Sequence, residues 1–175
     1  MLEIFGAKKI SGACDIQKIV KFIQDYAKNQ DIIIQLFNAD HIYGKDHLLS
    51  AFEHAQRAFE QKNMIADTLS MEILLYASGE YQIMNGLAKL GIKEDSNNFA
   101  FIISGNASKP ENVIDDLLLK FNTIDLELKR DDTLLIGDPK TLEQLGITSE
   151  ELASIPKERW LELVLEKVAL LDIKK

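Results

Sequence analysis

Cysteine is nearly absent from this chain of 175 residues: Cys14 stands alone. No intramolecular disulfide can form and no cysteine-based zinc site can be built, which suits a reducing cytosol. Long apolar runs are missing too. None approaches the roughly twenty residues needed to span a bilayer. Residues 1–10 lack a positively charged stretch followed by an apolar one, so no signal peptide is expected there. Basic residues are in deficit, and the net charge of −8 weighs against a nucleic-acid protein that binds by bulk electrostatics. The deficit is uneven. Residues 1–110 hold 11 basic and 13 acidic side chains, whereas residues 111–175 hold 9 and 15. Any contact with RNA should therefore be local and lie in the first part. Repeats and low-complexity segments are also lacking. What remains is an ordinary soluble composition, 46% hydrophobic and 27% charged, expected to form one domain over residues 1–175 with a full core.

Catalytic and cofactor signatures are equally scarce. Ser78-Gly79 lacks the flanking glycines of a nucleophile elbow. Asp15 beside Cys14 disfavours a thiolate. Gly105 to Lys109 lacks the ending of a phosphate loop and reads as a turn. His47 and His54 lie seven apart, about 10.5 Å along a helix, too far for one ion. No enzyme activity, metal or cofactor is expected.

Leu2–Phe5 reads as a short strand, with Lys8–Ile10 a possible second. Asp15 caps a helix over Ile16–Lys28 whose apolar face holds Ile16, Ile19, Val20, Ile23 and Ala27. Asp31–Phe37 and Phe99–Ser104 are β-branched or aromatic runs typical of buried strands. Ser108 to Glu111 has capping-box spacing, opening a helix to about Phe121. Ile124–Leu128 alternates as a half-exposed strand, and Thr133–Ile136 reads as another. Pro139–Leu145 makes a short helix closed by Gly146. Thr148 or Ser149 caps the next, and Pro156 opens the last, where Leu163 and Leu170 form a small patch apart from the main stripe. The expected class is α+β (or α/β): a single small domain with one mixed or antiparallel sheet covered by several helices.

Gly44 to Gly91 is the most informative block. His47, Ala51, Ala55, Ala58 and Lys62 fall on one helical stripe, a shallow floor that admits a helix, a backbone or a flat ligand. His47 is either an interhelical hydrogen-bonding residue or a ligand contact. Glu72 faces apolar neighbours and needs a partner; Arg57 is the first candidate, giving a structural ion pair, and Tyr76 the second. Ser78 reads as the cap of a helix that continues through Tyr81-Gln82-Ile83, an N-terminus able to hold a phosphate.

His47, Ala51, Ala55, Arg57-Ala58, Asn63, Leu69 to Glu72, Leu75-Tyr76, Gly79, Gln82-Ile83 and Gly91, in this order, resemble the archaeal members of the PRPK-binding-protein family. That family supplies a small subunit of the KEOPS complex, which makes threonylcarbamoyl-adenosine on tRNA. The resemblance implies a non-catalytic cytoplasmic protein that binds the kinase-like subunit, associates indirectly with the other KEOPS subunits, and recruits tRNA by its 3′ CCA end. Under it, His47, Lys62, Asn63, Ser78, Tyr81 and Gln82 are the expected RNA-binding residues. Single-stranded ends are read by stacking and base-edge hydrogen bonds, not by a basic face. Ile16, Ile19 and Ile23, or Leu163 and Leu170, are the expected partner-binding residues. The chain departs from the family at Tyr81, where Arg is common, and at Gly86, where Ala is. A pure protein–protein adaptor or regulator without RNA binding, and an enzyme acting beside Glu72, are the rivals.

Overall fold

The computed structural model describes residues 1–106 and 110–174. In chain order the elements are β1 (Leu2–Gly12), α1 (Ile16–Gln30), β2 (Ile32–Asn38), α2 (Lys45–Glu60), α3 (Leu69–Ser78) and α4 (Ile83–Leu90). They continue with β3 (Asn98–Gly105), α5 (Pro110–Lys120), β4 (Leu126–Arg130), α6 (Lys140–Gln144), α7 (Ser149–Ser154) and α8 (Trp160–Lys174). Contacts gather into two compact units: Met1–Asp40 with Ile92–Leu135, and His41–Gly91 with Ile136–Lys175. The fold is α+β, as expected.

The first unit is built on a four-stranded antiparallel sheet in the order β2-β3-β1-β4. Phe5 pairs with Phe101 in the β1–β3 register, and their rings stack with centroids 4.9 Å apart. One sheet face carries Phe5, Ile34, Phe99, Phe101 and Ile103 into a core shared with Ile19, Ile23 and Tyr26 of α1 and Ile114 and Leu117 of α5. Asp15 caps α1, its carboxylate accepting from the Lys18 amide at 3.1 Å. Asp31 ends the helix in the left-handed region (φ 52°).

Strand boundaries differ from expectation in three places. Phe121–Ile124 is a 3₁₀ turn, so β4 runs Leu126–Arg130 rather than Ile124–Leu128. Leu2–Gly12 is one strand, not two: Gly6 is not a break but a point of close approach. A Cβ there would lie 2.4 Å from the Asp131 carbonyl oxygen, and the Gly6 amide donates to Asp132. The expected strand Thr133–Ile136 is instead a 3₁₀ turn, Asp132–Leu135, in which Asp131 accepts from the Thr133 amide. Local side-chain acceptors win over apolar alternation there. The capping box read at Ser108 to Glu111 falls partly outside the described residues.

The second unit is helical. Helices α2 and α3 pack on each other, α4 packs on α3, and α8 packs on both α2 and α3. Thr148 caps α7 in a capping box with Glu151, and Gly146 closes α6 with φ 78°. On α8, Val164, Val168 and Leu171 are buried.

Candidate functional site

The alanine stripe is not open. Ala51, Ala55 and Ala58 are buried where α2 packs on α3, so the ligand for the floor is the chain's own next helix. His47 takes the structural role. It is fully buried; the Tyr43 amide donates to Nδ1 at 3.2 Å, which leaves Nε2 to carry the proton donated to the Ala77 carbonyl at 2.8 Å. Burial, assisted by the nearby Lys89 charge, lowers its pKa to about 4, although the bond to Ala77 opposes this. The imidazole is thus a neutral clamp between the start of α2 and the end of α3. RNA cannot reach it.

Glu72 serves backbone donors that the expected pairing with Arg57 did not include. Completely buried, its Oε2 accepts from the Ile65 amide at 2.9 Å and the Ala66 amide at 2.7 Å. The carboxylate thereby holds the loop between α2 and α3. Lys62 stands in that loop with φ 57°, closing α2, and both Lys62 and Asn63 are exposed.

Ser78 does not cap a following helix. It is the last residue of α3, buried, with its hydroxyl donating to the Leu75 carbonyl at 3.1 Å. Gly79 follows as the left-handed C-cap. Lys89 reaches back to this helix end, donating to the Ser78 carbonyl at 2.8 Å and pairing with Glu80 at 3.2 Å. A cation there suits the negative end of the helix dipole. Gly86 lies over the same residue: a Cβ would sit 3.1 Å from Ser78 Oγ and 3.3 Å from Leu74 Cγ, so the departure to glycine relieves packing between α3 and α4.

Of the six expected RNA contacts, four are exposed, and they form two groups. Lys62 and Asn63 precede α3, whereas Tyr81 and Gln82 follow it. A ten-residue helix separates them, roughly 15 Å at about 1.5 Å per residue. Tyr81 and Gln82 lead into α4, whose outer surface is apolar. Tyr81 is 36% exposed, Ile83 37%, Met84 75% and Leu87 41%. Asn85 and Ala88 are also exposed and uncharged, and the one charged residue of α4, Lys89, is half-buried and paired with Glu80. The spacing 83, 84, 87 held this signal; the expected site had stopped at Gln82.

The expected partner surfaces divide as well. Ile19 and Ile23 point into the core of the first unit and are not offered to a partner; Ile16 is half-buried. Of the apolar stripe expected on α1, Ile19 and Ile23 form the packing face, whereas Val20 is exposed. Leu163 and Leu170 are half-buried on α8. Sequence reasoning missed the group that ties α8 down. Asp172 accepts the Tyr76 hydroxyl on one oxygen, and its other oxygen lies 2.6 Å from His54 Nδ1. Burial and the adjacent Asp172 push the Tyr76 phenol well above its ordinary pKa. Among the described residues no helix is long and apolar enough to cross a membrane.

Comparison with known proteins agrees with the resemblance drawn from the Gly44 to Gly91 block. The family described as kinase binding protein CGI-121 matches residues 9–171. A regulatory protein, Cgi121, of Methanocaldococcus jannaschii is 30% identical over 155 residues, covering 84% of this chain and 88% of that protein. The match runs through both units, and on it the chain belongs to the kinase-binding CGI-121 family.

Proposed function

We propose that this protein is the non-catalytic, cytoplasmic KEOPS subunit that binds the kinase-like subunit and recruits tRNA by its single-stranded 3′ CCA end. Kinase binding follows from the family. The observation that carries the RNA half is the charge-free outer face of Tyr81, Gln82, Ile83, Met84 and Leu87. A surface of this kind offers a stacking ring, an amide for base edges and apolar platforms, which is what an unpaired end requires. It asks for no basic field, in keeping with a net charge of −8. Lys62 and Asn63, at the other end of α3, serve a more distant part of the same RNA. Leu163 and Leu170 of α8 remain for the kinase-like subunit.

Met84 is 75% exposed, so Met84→Glu leaves the fold intact while placing an anion on the proposed platform. It should weaken tRNA binding at least about tenfold, and Lys62→Glu by less. Parent-like binding by a folded Met84→Glu variant overturns the assignment of this face. The second reading, a regulator of the kinase without RNA contact, draws on the printed name of the relative, a regulatory protein. Kinase binding with no tRNA binding in any form favours it.

A further inference from the structure

A groove in the first unit, remote in sequence from α4, has no part in the reading above. It encloses about 360 Å³ between α1 and the turn after α5. That volume lies in the range of small-molecule sites. Phe22, Tyr26 and Ile124 form its floor, and Lys18, Lys21 and Lys120 stand at its rim. The floor is held in place. Phe22 packs on Phe121 with centroids 4.7 Å apart, and the Tyr26 hydroxyl donates to Asp116 at 2.8 Å. The Lys120 ammonium sits over the Tyr26 ring, 5.4 Å from its centroid, and pairs with Asp116 at 3.0 Å. Lys18 pairs loosely with Asp15 at 3.7 Å, and among the described residues Lys21 carries no ion pair.

The polar groups are arranged by sign along α1. Lys18 and Lys21 lie at its N-terminal end, with Asp25 and Asn29 further on, all lining the groove. Eleven residues at about 1.5 Å each give a span of roughly 16 Å. Lys18 and Lys21 at one end, an aromatic floor with Lys120 over Tyr26 in the middle, and an acceptor with an amide at the other end match one chemistry. An anionic group meets Lys18 and Lys21, a flat ring lies on Phe22, and amino or hydroxyl donors meet Asp25 and Asn29. Asp15 and Asp116 pair with Lys18 and Lys120, which leaves Lys21 as the cation on the lining with no ion pair among the described residues. The geometry points to a nucleoside phosphate site, its phosphate on Lys18 and Lys21 and its base on the aromatic floor. The ligand is either a free nucleotide or a unit of an RNA strand. This site stands whether or not α4 binds tRNA.

The test is a titration of the full chain followed by backbone amide NMR, with ADP, pyrophosphate, adenosine and a short oligoadenylate as probes. ADP should shift the amides of α1 saturably, with a Kd of about 0.1–1 mM. Pyrophosphate and adenosine should each bind more weakly. Lys21→Glu, an exposed change that leaves the core untouched, should raise the ADP Kd at least about tenfold. Oligoadenylate tighter than ADP at the same amides assigns a strand, and the reverse assigns the free nucleotide; both support the site. Absence of saturable shifts at about 5 mM ADP overturns it. So does pyrophosphate binding as tightly as ADP, or a folded Lys21→Glu variant that binds ADP like the parent.

Discussion

Removing the Glu72 carboxylate tests how the second unit is held together. The side chain is fully buried, and one of its oxygens serves two backbone donors at 2.9 and 2.7 Å. Hydrogen bonds to a charged group contribute about 1.5–3 kcal/mol each, and a buried donor left without an acceptor adds its desolvation cost. Glu72→Ala should therefore destabilise by about 3–5 kcal/mol, since it removes the shared acceptor and opens a cavity. In a protein of this size that lowers Tm by roughly 10 °C. Glu72→Gln keeps one acceptor and should lose about half as much. Arg57 is exposed, and Arg57→Ala should cost less than about 1 kcal/mol. Urea denaturation gives the energies, and hydrogen exchange at the Ile65 and Ala66 amides locates the loss in the loop. If Arg57→Ala costs as much as Glu72→Ala, the carboxylate works through the ion pair first expected. If Glu72→Ala costs under about 1 kcal/mol with those amides still protected, the loop clamp is refuted.

Buried His47 makes stability depend on pH. Its folded pKa of about 4 lies below the unfolded value, so the unfolded chain binds the extra proton. Its contribution is complete above about pH 6.5 and fades as pH falls toward 4, amounting to roughly 3 kcal/mol over that window. His47→Gln should flatten the slope of unfolding free energy against pH between 6.5 and 4; an unchanged slope contradicts the neutral clamp. On α8, Leu163→Glu with Leu170→Glu should abolish capture of the kinase-like subunit while tRNA binding stays near normal, because interface energy concentrates in a few apolar residues. Capture by a folded double variant removes this helix from the interface.

Features encoded over a few residues were legible in the sequence. Asp15 caps α1, Thr148 caps α7, Gly146 closes α6, and the β-branched runs became β2 and β3. Each depends on chemistry within one turn or one pleat. The strand order was not legible, because β1 pairs with β3 across some ninety residues of chain that no local pattern reports. The site failed in an instructive way. Spacing placed Ala51, Ala55 and Ala58 on one stripe but could not say that α3 already covers them. Polar residues at His47, Glu72 and Ser78 signalled special roles, and each has one. Each bonds backbone groups, to which side-chain spacing is blind. Gly6 shows the same limit: it lies between the two short strands expected, and a carbonyl brought from Asp131 requires glycine there.

The central proposal is that the charge-free face of α4 receives an unpaired RNA end. Fluorescence anisotropy with full-length tRNA and with the same tRNA lacking its last three nucleotides measures this directly. Stacking against Tyr81, Met84 and their neighbours requires that end, so the trimmed tRNA should bind at least about tenfold more weakly. Equal affinity for the two RNAs, at any salt concentration, contradicts the proposal.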